Sequence, residues 1–350
     1  MPRTSFGHRM RREIIEQPAA VTATLAAETD NIREFAARLR KDNVQQVLLV
    51  ARGTSDNAAM YARYAFPIIA NKLTSVLAAS LLTVYDAQLD MKNCLVMGIS
   101  QSGQSVGVVE FLEHARHHGA ITCALTNTAD SPLGKAADVV LATHAREEKS
   151  VPATKTYTTA LAVIHQLASL WAGDVERAKR IYDVPGCIEQ VLKMEGQIQQ
   201  RAERYRYMPG CAVVGRGFSL CTALEAALKI AQCAYVVPAA YSGIDFLHGP
   251  IASIEPGYPC MVFAPEGKAL QSVSELLDAL DERQAETIVV SNSAPLLDRG
   301  TVSFRVPAID EEFAPLVSVV VGQLFALHLA LHKGINPDEP RGVAKITWTL

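Results

Sequence analysis

Three serines, two glutamines and a glycine follow one short apolar run. Leu95-Val96-Met97-Gly98-Ile99 empties into Ser100-Gln101-Ser102-Gly103-Gln104-Ser105, and residues 106–118 then show helical periodicity. A helix N-terminus leaves backbone N–H groups without intrahelical partners and carries partial positive charge. Strand, hydroxyl-rich turn and helix together therefore form an anion cradle. Serine hydroxyls rotate to meet phosphate oxygens, and Gly103 lets the backbone come close. The turn contains no lysine, unlike a Walker-type loop, and suits a small ligand with a single phosphate. Serine can also simply cap a helix. A second hydroxyl turn, Gly53-Thr54-Ser55, ends another apolar run and favours the ligand.

The elements that carry these turns recur. Val47-Leu48-Leu49-Val50-Ala51-Arg52-Gly53-Thr54-Ser55 precedes an alanine-rich helical stretch over 56–69. Cys211-Ala212-Val213-Val214-Gly215-Arg216-Gly217-Phe218-Ser219 precedes another over 222–234. Arg52/Arg216, Gly53/Gly217 and Ser55/Ser219 coincide, which implies two copies of one α/β unit. Further apolar runs lie at 75–79, 94–99, 121–126 and 139–143, then at 260–264, 287–291 and 303–306, separated by helical segments. This alternation predicts doubly wound, mostly parallel sheets with helices on both faces and ligands at the carboxyl ends of the strands. Residues 1–40 read as a helical segment, 41–185 as the first domain, 195–335 as the second and 336–350 as a tail. The charged stretch 173–199, interrupted by Pro185-Gly186, holds the boundary.

Composition narrows the function. The 350 residues are 49% hydrophobic and 20% charged with net charge −3, which fits two globular domains and argues against a broad basic surface for nucleic acid. No apolar run reaches the length of a membrane span, and the N-terminus lacks a signal-peptide core. Seven scattered cysteines without a CxxC pair read as reduced thiols in a cytoplasmic protein. His114, His117 and His118 are joined by no carboxylate or cysteine, so they read as a solvated helix end and no metal is expected. Arg52 and Arg216 are expected to pair with acids at the strand ends.

Seven motifs follow in order: Met10-Arg11-Arg12-Glu13-Ile14 with Glu16-Gln17-Pro18; Gly53-Thr54-Ser55; Ser100-Gln101-Ser102-Gly103; Val151-Pro152-Ala153-Thr154-Lys155; Ala223-Leu224-Glu225-Ala226-Ala227-Leu228-Lys229; His248-Gly249-Pro250; and Pro340-Arg341 with Ala344-Lys345. Together they resemble the sugar isomerase (SIS) domain family. The resemblance is strong to the isomerase half of the glutamine–fructose-6-phosphate aminotransferases and to stand-alone glucosamine-6-phosphate deaminases of that type. The resemblance implies two tandem SIS domains in a homodimer, active sites at the subunit interface, and a tail that closes each site. It implies a phosphate site of Gly53, Thr54, Ser55, Ser100, Gln101, Ser102 and Ser105, with Val151 and Ala153 on the sugar. Ala153 stands where the family usually has serine. His248 would open the sugar ring, and Lys345 would form a Schiff base with the open sugar. Lys229 and Glu225 match a charged pair lining the site.

One position departs from the family. Gln232 stands where the synthases carry the glutamate that moves a proton between C1 and C2, and an amide does not titrate in the range a base needs. Glu225 or Asp245 would have to replace it. Asp245, three residues before His248, either orients that histidine or caps the local turn. The residues before Met10 are too few for the glutaminase domain of the synthases, so free ammonia is expected and deamination is favoured. The expected activity is therefore glucosamine-6-phosphate deaminase, with no metal or organic cofactor. The alternatives are a fructosamine-6-phosphate deglycase and a sugar-phosphate-binding protein without chemistry.

Overall fold

A computed structural model describes residues 6–345, which form two compact units. The first holds 19–148, 155–183 and 344–345; the second holds residues up to 18, 149–154 and 184–343. The sheet of the first unit contains β1 (Gln46–Val50), β2 (Leu73–Val76), β3 (Cys94–Ile99), β4 (Ile121–Thr126) and β5 (Val139–Ala142). Their order is β2-β1-β3-β4-β5, with every neighbour parallel. All six residues of the central β3 are buried. Val96 and Ala124 pack with Val108, Phe111 and Leu112 of the helix Val106–His117. A strand covered on both faces has no use for polar alternation, which is why it reads as a continuous apolar run.

The second unit contains β6 (Gly210–Gly215), β7 (Val237–Ser242), β8 (Pro259–Phe263), β9 (Glu286–Ser291) and β10 (Val302–Arg305). Their order, β7-β6-β8-β9-β10, repeats that of the first sheet, again all parallel. Both units are thus the α/β sheets expected from the sequence. The strand absent from that expectation is β7, which carries Pro238 and is partly exposed along its length. It lies at the sheet edge, where a proline costs no ladder bond on the open side and an apolar run is not required.

The helical N-terminal segment is two helices, His8–Ile15 and Gln17–Lys41, the first of which belongs to the second unit. There the Asp338 carboxylate accepts the Met10 N–H at 2.8 Å and the Arg9 N–H at 3.1 Å. Arg11 grips Glu195 with two 2.7 Å bonds, and Glu195 also lies 3.1 Å from His328 Nε2. His328 sits on the helix Ala314–His332. That helix corrects one expectation, because it is long and apolar enough to cross a membrane by length and composition. It is 94% buried, and a helix apolar on all sides also serves as the centre of a globular core.

Burial holds His328 below the ordinary histidine range, against the opposing pull of Glu195. Its Nδ1 is buried with no partner among the described residues. The unfolded chain therefore binds this proton more readily than the folded one. Stability is full above about pH 6.5 and falls as the pH drops, by at most about 1.4 kcal/mol per pH unit for one proton. Chemical denaturation of wild type and His328→Gln between pH 7 and 5 is expected to show the steeper loss in wild type.

Candidate active site

Parallel strands place all their carboxyl ends on one edge of the sheet, and in the first unit two turns meet that edge. Gly53 takes a left-handed φ of 58° between β1 and the helix Thr54–Ala70. The loop 100–105 joins β3 to the helix Val106–His117. Three backbone bonds pin this loop. The Ser100 N–H reaches the Leu125 carbonyl at 3.1 Å, the Gln101 carbonyl accepts the Asn127 N–H at 3.1 Å, and the Gly103 carbonyl accepts the Leu133 N–H at 3.0 Å.

Within the loop, Ser100 Oγ accepts the Gly103 N–H at 3.2 Å and Ser102 Oγ accepts the Gln104 N–H at 3.3 Å. Ser105 occupies the N-cap position without a side-chain cap bond, so capping is not what its hydroxyl does. Gly103 has φ 65°, and a Cβ there would collide with the Ser131 side chain. Glycine is required by both conformation and space.

Arg52, expected to pair with an acid, has no carboxylate within ion-pair distance among the described residues. Its guanidinium Nη2 lies 3.9 Å from where a Cβ on Gly107 would sit, at the start of the helix Val106–His117. Its charge is felt by Asp56, whose carboxyl burial pushes up and Arg52 partly restores. A cation at a helix N-terminus opposes the helix dipole unless an anion comes between.

The first unit also contains a pair that the sequence reading missed. Lys345 Nζ lies 3.0 Å from Glu148 Oε2, and the Glu148 side chain is fully buried. Thr156 holds that carboxylate through its hydroxyl at 2.7 Å and its N–H at 3.3 Å. Glu148 lies inside the charged run Arg146-Glu147-Glu148-Lys149, and nothing local sets it apart from its exposed neighbours.

The second unit carries the remaining residues. Glu225 and Lys229, four apart on the helix Ser219–Ala234, form a 3.0 Å ion pair with neither side chain exposed. Lys229 Nζ also donates to Gln232 Oε1 at 3.0 Å, so all three share one helix face. This is no ordinary surface pair, since breaking it would strand a buried charge. Asp245 and His248 are exposed on and just after the short helix Gly243–Leu247. The His248 N–H binds the carbonyls of Ile244 and Asp245, and among the described residues no side-chain bond joins His248 to the Asp245 carboxylate. The Val151 N–H donates to the Asp338 carbonyl at 3.3 Å, and Ala153 is half-buried two residues on. No group of three or more possible metal ligands occurs among the described residues.

Comparison with known proteins gives these features a family. The model of the SIS domain matches residues 39–170 and 211–333, one stretch on each sheet. The chain belongs to the SIS domain family. This member is 33% identical over 352 residues to a glutamine–fructose-6-phosphate aminotransferase of Thermococcus kodakarensis, covering 98% of this chain and 58% of that protein. The chain thus spans less than two thirds of the curated relative it matches. Among solved structures, the C-terminal domain of a glucosamine–fructose-6-phosphate aminotransferase from Francisella tularensis superposes with TM-score 0.89. The two are 26% identical over 97% of this chain and 100% of that one. A presumptive phosphosugar isomerase from Silicibacter pomeroyi gives TM-score 0.84 at 31% identity, covering 94% of this chain and 99% of that one.

Two outcomes check the site. Gly103→Ala is expected to leave a folded chain whose melting temperature no longer rises with inorganic phosphate, as measured by thermal shift. Lys229→Met leaves Glu225 buried without its cation and is expected to cost about 3–5 kcal/mol in chemical denaturation.

Proposed function

We propose that this SIS protein is an aldose–ketose isomerase coupled to amine loss, a glucosamine-6-phosphate deaminase that forms fructose 6-phosphate and ammonia. The observation that carries the reading is the Lys345–Glu148 pair, in the same unit as the hydroxyl-lined loop 100–105. A phosphate anchor fixes one end of the sugar and leaves the other end to react. Ser55, Ser100, Gln101, Ser102 and Ser105 supply neutral donors for that anchor, and Arg52 adds charge.

Each remaining residue takes one step. His248, exposed ahead of Gly249-Pro250, passes the ring proton that opens the pyranose. Lys345 is the amine that attacks the carbonyl, and the Glu148 carboxylate lies 3.0 Å from its Nζ. Glu148 thereby positions Lys345 and is not itself required to touch sugar. For transfer of the proton between C1 and C2, Gln232 has no titratable group, and Glu225 is fully buried against Lys229. Asp245, exposed on the helix that precedes His248, is the carboxylate assigned to that transfer. Water replaces the amine, so glucosamine 6-phosphate plus water balances fructose 6-phosphate plus ammonia.

A second reading rests on Gln232, a neutral side chain hydrogen-bonded by Lys229 at the position where the resemblance to the synthases implies a glutamate. It makes the chain a phosphosugar-binding protein without turnover. A coupled assay of ammonia and fructose 6-phosphate from glucosamine 6-phosphate, with calorimetric binding on the same samples, separates the two. Turnover that falls by about 10²–10⁴-fold in His248→Asn and Asp245→Asn supports the deaminase. Binding without turnover supports the second reading, in which Gln232→Glu is expected to create activity. Neither binding nor turnover overturns both. Release of lysine and glucose 6-phosphate from fructoselysine 6-phosphate plus water, followed on the same samples, tests the deglycase alternative.

A further inference from the structure

The second unit repeats the edge of the first but fills it from within. Gly217 follows β6 with φ 59°, as Gly53 follows β1 with φ 58°. The Ser219 N–H turns back to the Arg216 carbonyl at 3.1 Å, as the Ser55 N–H does to the Arg52 carbonyl at 3.2 Å. The loop 264–269 leaves β8 at the sheet position where 100–105 leaves β3. The Ala264 N–H reaches the Val290 carbonyl at 2.9 Å, matching Ser100 to Leu125. The contents of the two edges differ. Nothing lies within 4 Å of where a Cβ on Gly53 would sit, whereas Glu311 Oε1 lies 3.6 Å from that point on Gly217. The same carboxylate accepts the Lys268 N–H at 2.7 Å, and its Cδ lies 2.5 Å from the Cβ position of Gly267.

We propose that Glu311 is a built-in anion that holds the second cradle closed, so that each chain binds one phosphate-bearing ligand. One carboxylate spans both glycine turns, ahead of the helix Leu270–Glu282. It accepts a backbone N–H there, as a phosphate oxygen does at a helix start. A carboxylate carried on the chain also acts at an effective concentration that a dilute free anion does not match. The residues of the loop agree: Ala264, Pro265 and Ala269 stand where the first loop has Ser100, Gln101 and Ser105, so the second cradle offers fewer side-chain donors. Without Glu311 its backbone donors, with Lys268 and Arg216 alongside, become a weaker second site for phosphate.

The inference rests on reading 100–105 as a phosphate site, and the test keeps the two apart. Inorganic phosphate is titrated calorimetrically into the full chain as wild type, Glu311→Ala, Glu311→Ser and Glu311→Ala with Gly103→Ala, each first shown to melt cooperatively. Expected stoichiometries are one for wild type, two for each Glu311 single variant and one for the double variant. No binding by wild type but one site in the Glu311 variants removes the first-unit reading and upholds this one. Two sites in wild type, or no gained site in any cooperatively melting Glu311 variant, overturns it.

Discussion

Parallel pairing governs what this chain can do. A strand that runs beside its neighbour in the same direction must be reached by a crossover, here a helix, so every strand leaves its sheet at the same edge. Both sheets obey this without exception across their eight strand pairings. The turns that begin helices are therefore gathered on one edge of each unit, with N–H groups and the positive ends of helix dipoles converging there. The anion cradle proposed for the first unit rests on that gathering. Serine and glycine refine it by supplying hydroxyls and room for a close approach.

The second constraint is the cost of a buried charge. Glu13, Glu148, Glu225 and Asp338 are all buried carboxylates, and each is answered by specific donors. Glu13 accepts the Ser150 N–H and hydroxyl, fixing the segment that carries Val151 and Ala153. Asp338 holds the start of the first helix, Glu225 holds Lys229, and Glu148 holds Lys345. A buried charge that loses its partner costs several kcal/mol, so these contacts fix the positions of segments far apart in sequence. Lys229, Gln232 and Lys345 stand in this polar framework. The apolar core fixes the sheets that support them.

Two units with one topology have come to differ through a few side chains at their edges. The first keeps open space above Gly53, serines on its loop and, among the described residues, an Arg52 with no carboxylate at ion-pair distance. The second keeps the glycine turns but brings Glu311 over them. Six of the seven cysteines are buried in these frameworks. Burial pushes the Cys211, Cys233 and Cys260 thiols up to about 12, which leaves them protonated and unreactive near neutrality.

Sequence by itself determined the two α/β units, most of their strands and the hydroxyl turn. Those features are written locally: apolar runs for doubly covered strands, glycine for a left-handed turn, and helical periodicity after it. The shared face of Glu225, Lys229 and Gln232 was legible for the same reason, since spacings of four and three are neighbours on a helix. The edge strand β7 escaped because an edge makes weak demands on composition. Tertiary structure alone decided which charges meet. Glu148 and Lys345 are 197 residues apart, and Glu311 lies 43 residues beyond the backbone N–H it accepts. No periodicity encodes such pairs, because a buried charge finds its partner through the fold as a whole.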